Sequence, residues 1–346
     1  MLSARKRRGG IHLWRLLIAC FAVVWVSAVG VSSAGNVRRF DRTRKQVTAI
    51  PFAVGISPGS GFEQAFASMN GMQQKALLDR MKADGVRWLR IDYYPDSSSL
   101  RELIEAAQAD GILVDALLED FGATPSAFAA FARAATSSLG SAAYEILNEV
   151  NLYQPRITAA QYVPVLVATY KAIKGVDPHA IVLASGLGPG PGAQEPDRYL
   201  AAMYAAGAKG YFDAANLHPY SFPAMPMSMP CQSWNAFCHD APAMREVMEK
   251  YGDGNKSIWF TEFGCPTGTA GGQKKACPYM RLGAQLTQAY DQARAWCWVG
   301  SFFVFDWQDD DVDGDFGHYL ADGSPKPYAL SAFERFSSSE MLRAKR

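Results

Sequence analysis

From residue 50 onward the chain alternates eight times between a short run of branched and aromatic residues and a longer stretch of helical periodicity. Strands are predicted over 51–56, 86–93, 112–118, 144–148, 181–184, 212–217, 257–261 and 301–306. Between them, Ser99-x-x-Glu102 reads as a capping box ahead of Leu100, Leu103, Ile104 and Ala107, which recur at helical spacing. Asp84-Gly85 and Asp110-Gly111 stop helices just before strands, where glycine can take the left-handed turn. Eight such units over roughly 290 residues predict an α/β fold, a closed (β/α)8 barrel (TIM barrel) in a single domain spanning 48–340. An open doubly wound sheet would need a phosphate-type glycine turn after the first strand. Ser57-Pro58-Gly59-Ser60-Gly61 imitates one only weakly.

Residues 1–34 do not fit that alternation. Arg5, Lys6, Arg7 and Arg8 form a basic head, followed by an apolar stretch from Leu16 to Val31 and by small residues that suit cleavage after Ala34 or Ala28. This reads as a secretory signal, or, if uncleaved, as an N-terminal membrane anchor. The segment 35–47, with Arg38, Arg39, Arg42, Arg44 and Lys45, reads as a basic linker. The whole chain carries a net charge of +1, and residues 1–34 hold five Arg/Lys and no Asp/Glu, so the remainder stands at 1 − 5 = −4. That balance gives no electrostatic basis for binding nucleic acid. An exported monomer is expected, tethered to the membrane only if the leader stays.

Six cysteines fit export. Cys20 lies in the leader. Cys231 with Cys238, and Cys265 with Cys277, are close pairs in loop-like sequence and are expected as disulfides. Cys297 lies in an apolar helical run and is expected as a buried thiol.

In a barrel of this kind the loops after the strands build the site. The informative polar residues do fall at strand ends: Arg90 and Asp92, Glu119 and Asp120, Asn148 and Glu149, His218 and Tyr220, Glu262, and Trp307. Glutamate sits poorly in buried strands, so two apolar runs that each lead to one, Tyr144-Glu145-Ile146-Leu147-Asn148-Glu149 and Ile258-Trp259-Phe260-Thr261-Glu262, ask for a chemical reason. Two facing carboxylates are the working parts of glycoside hydrolysis.

Asn148-Glu149, His218-Pro219-Tyr220 and Thr261-Glu262-Phe263-Gly264, in this strand order, resemble clan A of the glycoside hydrolases, nearest the cellulase-like family 5 and the xylosidase-like family 39. Phe316-Gly317-His318-Tyr319-Leu320 and Pro325-Lys326-Pro327-Tyr328 resemble that clan's last loop and helix. The resemblance covers about 50–336, the frame that barrel topology supplies. It implies Glu149 as general acid/base and Glu262 as nucleophile. It also implies Asn148 on the sugar 2-hydroxyl, Tyr220 and Arg90 on the nucleophile, His218 lining the site, and Trp307 flooring the subsite of the attacked sugar. Glu119-Asp120 stands where family 5 has a His-Asn ending, and Val150 replaces the proline that usually follows the acid/base.

The expected activity is retaining O-glycoside hydrolysis on a polysaccharide or oligosaccharide, with no cofactor and no metal. Alternatives are a non-catalytic carbohydrate-binding barrel and a transglycosylase that uses the same residues. The loop from Ser221 to Met244 holds Trp234 and Phe237, which could flank outer sugar subsites, and 265–277 encloses Gly268, Gly271 and Gly272. Asp309, Asp311, Asp313 and Gly314 match the start of an EF-hand loop, but Leu320 stands where the bidentate glutamate is required, so a solvated acidic loop is expected. The sequence contains no HExxH and no P-loop.

Overall fold

Eight parallel strands form, each within a few residues of its predicted place: β1 (Ala53–Ser57), β2 (Trp88–Tyr93), β3 (Leu113–Leu118), β4 (Ala143–Ile146), β5 (Ile181–Leu183), β6 (Ala215–Leu217), β7 (Ile258–Phe260) and β8 (Val299–Phe305). The helices are α1 (Gly59–Ser68), α2 (Gly71–Ala83), α3 (Ser98–Ala109), α4 (Pro125–Leu139), α5 (Ala159–Val176), α6 (Pro196–Ala205), α7 (Asp240–Lys250), α8 (Tyr279–Ala295) and α9 (Pro327–Ala344). The computed structural model describes residues 52–344 apart from 96 and 269–276, with side chains as far as 337. The expected leader, the linker, Gly271 and Gly272 lie outside the described residues. Among the described residues no helix is long and apolar enough to cross a membrane.

The ladder runs β5-β4-β3-β2-β1-β8-β7-β6. Single bridges, Leu183 with Ala214 and Leu187 with Leu217, join the two ends. The Asp213 amide donates to Val182 O at 2.8 Å and the Leu187 amide to Asn216 O at 3.3 Å. The sheet therefore closes into a (β/α)8 barrel.

Trp88 on β2 and Trp259 on β7 meet edge to face at 5.2 Å, although their strands are not neighbours. They can touch only through the lumen. With Phe303, Leu183, Ala143 and Ala214 they plug its lower end. Strand side chains alternate, so each second residue above the plug also faces inward. Trp88, Arg90 and Asp92 climb β2 in that way, Ala143 and Glu145 climb β4, and Trp259 and Thr261 climb β7. The plug thus excludes water from below and the polar residues face the upper mouth, where the βα loops lie.

Asp115 faces inward from β3, in register with Arg90. It is fully buried, and neither carboxylate oxygen has a hydrogen-bond partner. Burial first, and then the charge of Glu145, raises its pKa well above the ordinary carboxylate value. A carboxyl whose folded pKa is raised stabilises the fold below its unfolded value and loses that contribution as pH climbs through the folded one. Asn carries no proton to lose, so Asp115→Asn should gain stability relative to wild type as pH rises from 4 to 8, by about 1.4 kcal/mol for each pH unit over which the native carboxyl stays protonated while the unfolded one ionises. The gain should shrink toward zero near pH 4, which thermal melts across that range will read.

Some local readings are corrected. The Ser99–Glu102 capping box does not form: α3 begins at Ser98, and its N-cap residue, Ser97, bonds back to Tyr94 instead. Capping boxes stand at Asn70/Gln73 and Thr158/Gln161. Cys297 lies exposed in the turn after α8 rather than buried in a helix. That helix ends at Ala295, and the apolar run continues into β8. Cys231–Cys238 and Cys265–Cys277 are bonded, with Cα separations of 5.9 and 6.0 Å.

Candidate active site

Glu262 follows β7 and is largely buried. Arg90 Nη1 donates to its Oε1 at 2.8 Å, and the Tyr220 hydroxyl donates to its Oε2 at 2.8 Å. Arg90 is itself pinned from below. Its Nε and Nη2 donate to the two oxygens of Glu145 at 2.7 and 3.1 Å, Nη1 also reaches Ser57 Oγ at 3.2 Å, and Nη2 reaches Asn148 Oδ1 at 2.9 Å. A guanidinium has five N–H donors, and all five are engaged. Burial alone would lower its pKa, but Glu145 and Glu262 more than offset that and hold it above its usual value. A permanently charged Arg90 orients Glu262 and compensates its charge.

Glu145 was not among the residues expected in the site. It is fully buried, and its Oε1 also accepts the Gly186 amide at 2.9 Å. The signal was available: a second glutamate inside the apolar run of β4, four residues before Glu149. Asn151 was also passed over. Its amide side chain donates to Gly188 O and Gln194 O at 2.6 and 2.7 Å and accepts from the Gly188 amide at 3.2 Å. It ties the loop after Glu149 to the loop after β5.

Successive strand residues face opposite ways, yet Asn148 meets Arg90 while the next residue, Glu149, meets His218. The backbone resolves this. Leu147 and Glu149 both adopt left-handed φ values, 62° and 42°. Each such non-glycine residue costs about 1–3 kcal/mol. The Leu147 amide bonds Leu118 O at 3.0 Å, and the Glu149 amide bonds Gly186 O at 3.0 Å. Those bonds hold the kink that turns both side chains into the mouth. Val150 also finds its reason here. Its N–H, which proline would lack, donates to Ser185 Oγ at 3.3 Å.

His218 is fully buried between the two glutamates. Its Nδ1 lies 3.0 Å from Glu149 Oε1 and 3.4 Å from Glu262 Oε2. One oxygen of Glu149 and one of Glu262 lie within 4.8 Å of each other. Burial would lower the His218 pKa, but the charges of Glu262 and Glu149 prevail and raise it. Two glycines make room. A Cβ at Gly186 would overlap His218 Nε2, and one at Gly188 would overlap Glu149 Oε1. Gly188→Ala should displace the Glu149 carboxylate. It should lower kcat/KM on any substrate by about 10–100-fold, the scale of a 1 Å misplacement, while the melting temperature stays near wild type.

The structure therefore brings Arg90, Asn148, Glu149, His218, Tyr220 and Glu262 together. It does not bring Trp307 or Phe237. Trp307 is 1% exposed, with its ring 4.8 Å from that of Tyr319. Strand β8 ends two residues earlier, and the indole packs into the loop beyond. Phe237 is fully buried and stacks on Trp296 at 5.3 Å, so it belongs to the core. Trp234, half exposed in the same loop, keeps a free face.

Arg90 does not pair with Asp92. The Asp92 Oδ2 accepts instead from Ser60 Oγ at 3.3 Å and Tyr94 Oη at 3.2 Å. Burial, then the nearby Asp92, pushes Glu119 up to about 7. Two of the acids after β8, Asp309 and Asp313, are engaged by the protein itself. Asp309 accepts from Lys326 Nζ at 2.5 Å and from the Gly317 amide at 2.9 Å, and Asp313 accepts from the Gly61 amide at 2.7 Å. The string Gly55-Ile56-Ser57-Pro58-Gly59 spells GxSxG, but Ser57 is buried and its hydroxyl accepts from Arg90.

No protein-family model and no curated protein matches the chain. Solved structures do. A GH5_18 enzyme from Bifidobacterium longum subsp. longum, in complex with Manβ1-4GlcNAc, superposes with a TM-score of 0.63 at 13% identity, covering 83% of this chain and 78% of that one. An exo-β-1,4-mannosidase from an Opitutaceae bacterium gives 0.57 at 18% identity, covering 85% and 60%. A glucosidase from Croceicoccus marinus gives 0.62 at 14% identity, covering 84% and 67%. At such identities the likeness is one of fold: this chain has the barrel on which these glycosidases are built.

Proposed function

We propose that the protein is a retaining O-glycoside hydrolase acting on an oligosaccharide or polysaccharide, with Glu262 as nucleophile and Glu149 as general acid/base. The observation that carries this reading is the approach of the two carboxylates to within 4.8 Å. Retaining enzymes hold the pair about 5–5.5 Å apart, whereas inverting enzymes need roughly 6.5–9.5 Å to seat a water between them. The asymmetry of the pair supports the roles. Glu262 accepts from Arg90 and Tyr220 and is the more enclosed, with a side chain 11% exposed; Glu149 is 30% exposed, as a group serving a departing alcohol and then a water would be.

In the first step a Glu262 oxygen bonds to the anomeric carbon as the glycosidic C–O bond breaks, and Glu149 gives its proton to the departing oxygen. In the second, Glu149 takes a proton from water, which attacks the same carbon and releases Glu262. Arg90 and Tyr220 hold the attacking carboxylate in line. Asn148, already oriented by Arg90, offers its amide toward the sugar. Half-exposed Trp234 is the aromatic we assign to stacking on an outer sugar.

Solved neighbours that act on mannosides and glucosides make β-linked hexosides the first substrates to try. Two disulfides suit an oxidising compartment and an exported enzyme. The test is a chromogenic glycoside screen followed by proton NMR of the first product formed. Retention of anomeric configuration is expected. An inverted product would sink the double displacement.

A further inference from the structure

The Glu149–His218–Glu262 group continues behind the histidine. His218 Nε2 lies 3.1 Å from Thr261 Oγ1, and the Thr261 hydroxyl donates to Asn216 Oδ1 at 2.9 Å. All three residues are buried. A threonine hydroxyl has a single hydrogen, and the Asn216 amide, with Oδ1 toward Thr261 and Nδ2 buried without a partner, receives it. In that amide orientation the same oxygen accepts toward His218, and the ring presents an N–H at Nε2.

We propose that Thr261 and Asn216 are positioning residues that lock the His218 tautomer, so that only Nδ1, the nitrogen facing Glu149, gains and loses a proton. This rests on the assignment of Glu149 as general acid. While Nδ1 is protonated it donates to Glu149 Oε1, leaving Oε2 as the oxygen that carries the catalytic proton to the leaving group. Once Nδ1 is deprotonated it becomes an acceptor and draws that proton to the Oε1 side, away from the glycosidic oxygen. The alkaline limb of the activity profile is then set by His218.

The surroundings suit such a switch. Glu149 from the end of β4 and Glu262 from β7 favour the charged ring, while Arg90 from β2 and burial oppose it, and the net direction is upward. Tyr220, two residues on, is engaged with Glu262 rather than with the ring. Gly186 packs directly against the imidazole, where a Cβ would overlap Nε2.

The test has two arms. The first is nitrogen NMR of the resting enzyme labelled at histidine, with His218 assigned from the His218→Asn difference spectrum. The neutral ring should carry its hydrogen on Nε2. The second is the pH dependence of kcat/KM. Thr261→Val removes the acceptor of a charged donor and should move the alkaline limb down by about one to two pH units, whereas Thr261→Ser should keep the wild-type limb. A neutral ring protonated at Nδ1 in the wild type would overturn the proposal. So would a Thr261→Val profile that is lower but unmoved. The NMR arm needs no turnover. An Nε2–H ring in a protein that cleaves no glycoside would therefore refute the hydrolase reading and leave the lock standing.

Discussion

Glu262→Gln should lower kcat by at least about 10⁴-fold on any glycoside the wild type hydrolyses, the scale of losing a covalent nucleophile. The change is nearly isosteric. The amide oxygen can still accept from Arg90, so the barrel mouth should stay assembled and KM should move little. What disappears is the anion that bonds to the anomeric carbon. The discriminating measurement is intact mass after incubation with a 2-deoxy-2-fluoro glycoside carrying an activated leaving group. The wild type should gain one glycosyl unit and the variant none. A label that persists in the variant, mapped to another side chain, would remove Glu262 from its role.

Glu149→Ala should divide substrates by leaving group. Toward glycosides whose departing alcohol needs a proton, kcat/KM should fall by about 10²–10⁴-fold, the usual worth of a positioned general acid. Toward dinitrophenyl glycosides the first step should survive, since that phenolate leaves unaided, and the glycosyl-enzyme should accumulate because no base activates water. Azide fits the space vacated by the carboxylate and needs no deprotonation. It should restore turnover and yield a glycosyl azide of the substrate's own anomeric configuration. If azide neither accelerates turnover nor appears in the product, Glu149 is not the acid/base.

Arg90, which holds Glu262, shows what local sequence does not record. Its place at the end of β2 was legible from alternation, and the resemblance to clan A implied its place beside Glu262. Its other partner was not legible. Asp92 lies two residues along on the same face, but two residues up a strand is one layer nearer the mouth. Glu145, on a strand two places away, meets the guanidinium at its own level across the lumen. Strand stagger within the barrel decides which layers coincide, and no local pattern records it. The same gap explains Trp307 and Phe237. Phe237, expected from its loop to flank an outer subsite, and Trp307, expected at the end of β8 to floor the subsite of the attacked sugar, are both buried in the core.

The amino-acid order by itself determined the number of strand–helix units and the polar residues at the strand ends, from which the resemblance to clan A singled out Arg90, Asn148, Glu149, His218, Tyr220 and Glu262. Hydrophobic period and turn chemistry are local, so they can be read without coordinates. Tertiary structure alone decided the geometry: one oxygen of each catalytic candidate within 4.8 Å of the other, the left-handed kinks at Leu147 and Glu149, and the contacts that join His218, Thr261 and Asn216. Those depend on closing the barrel and on hydrogen bonds between residues far apart in the chain, and only the closed sheet brings such partners together.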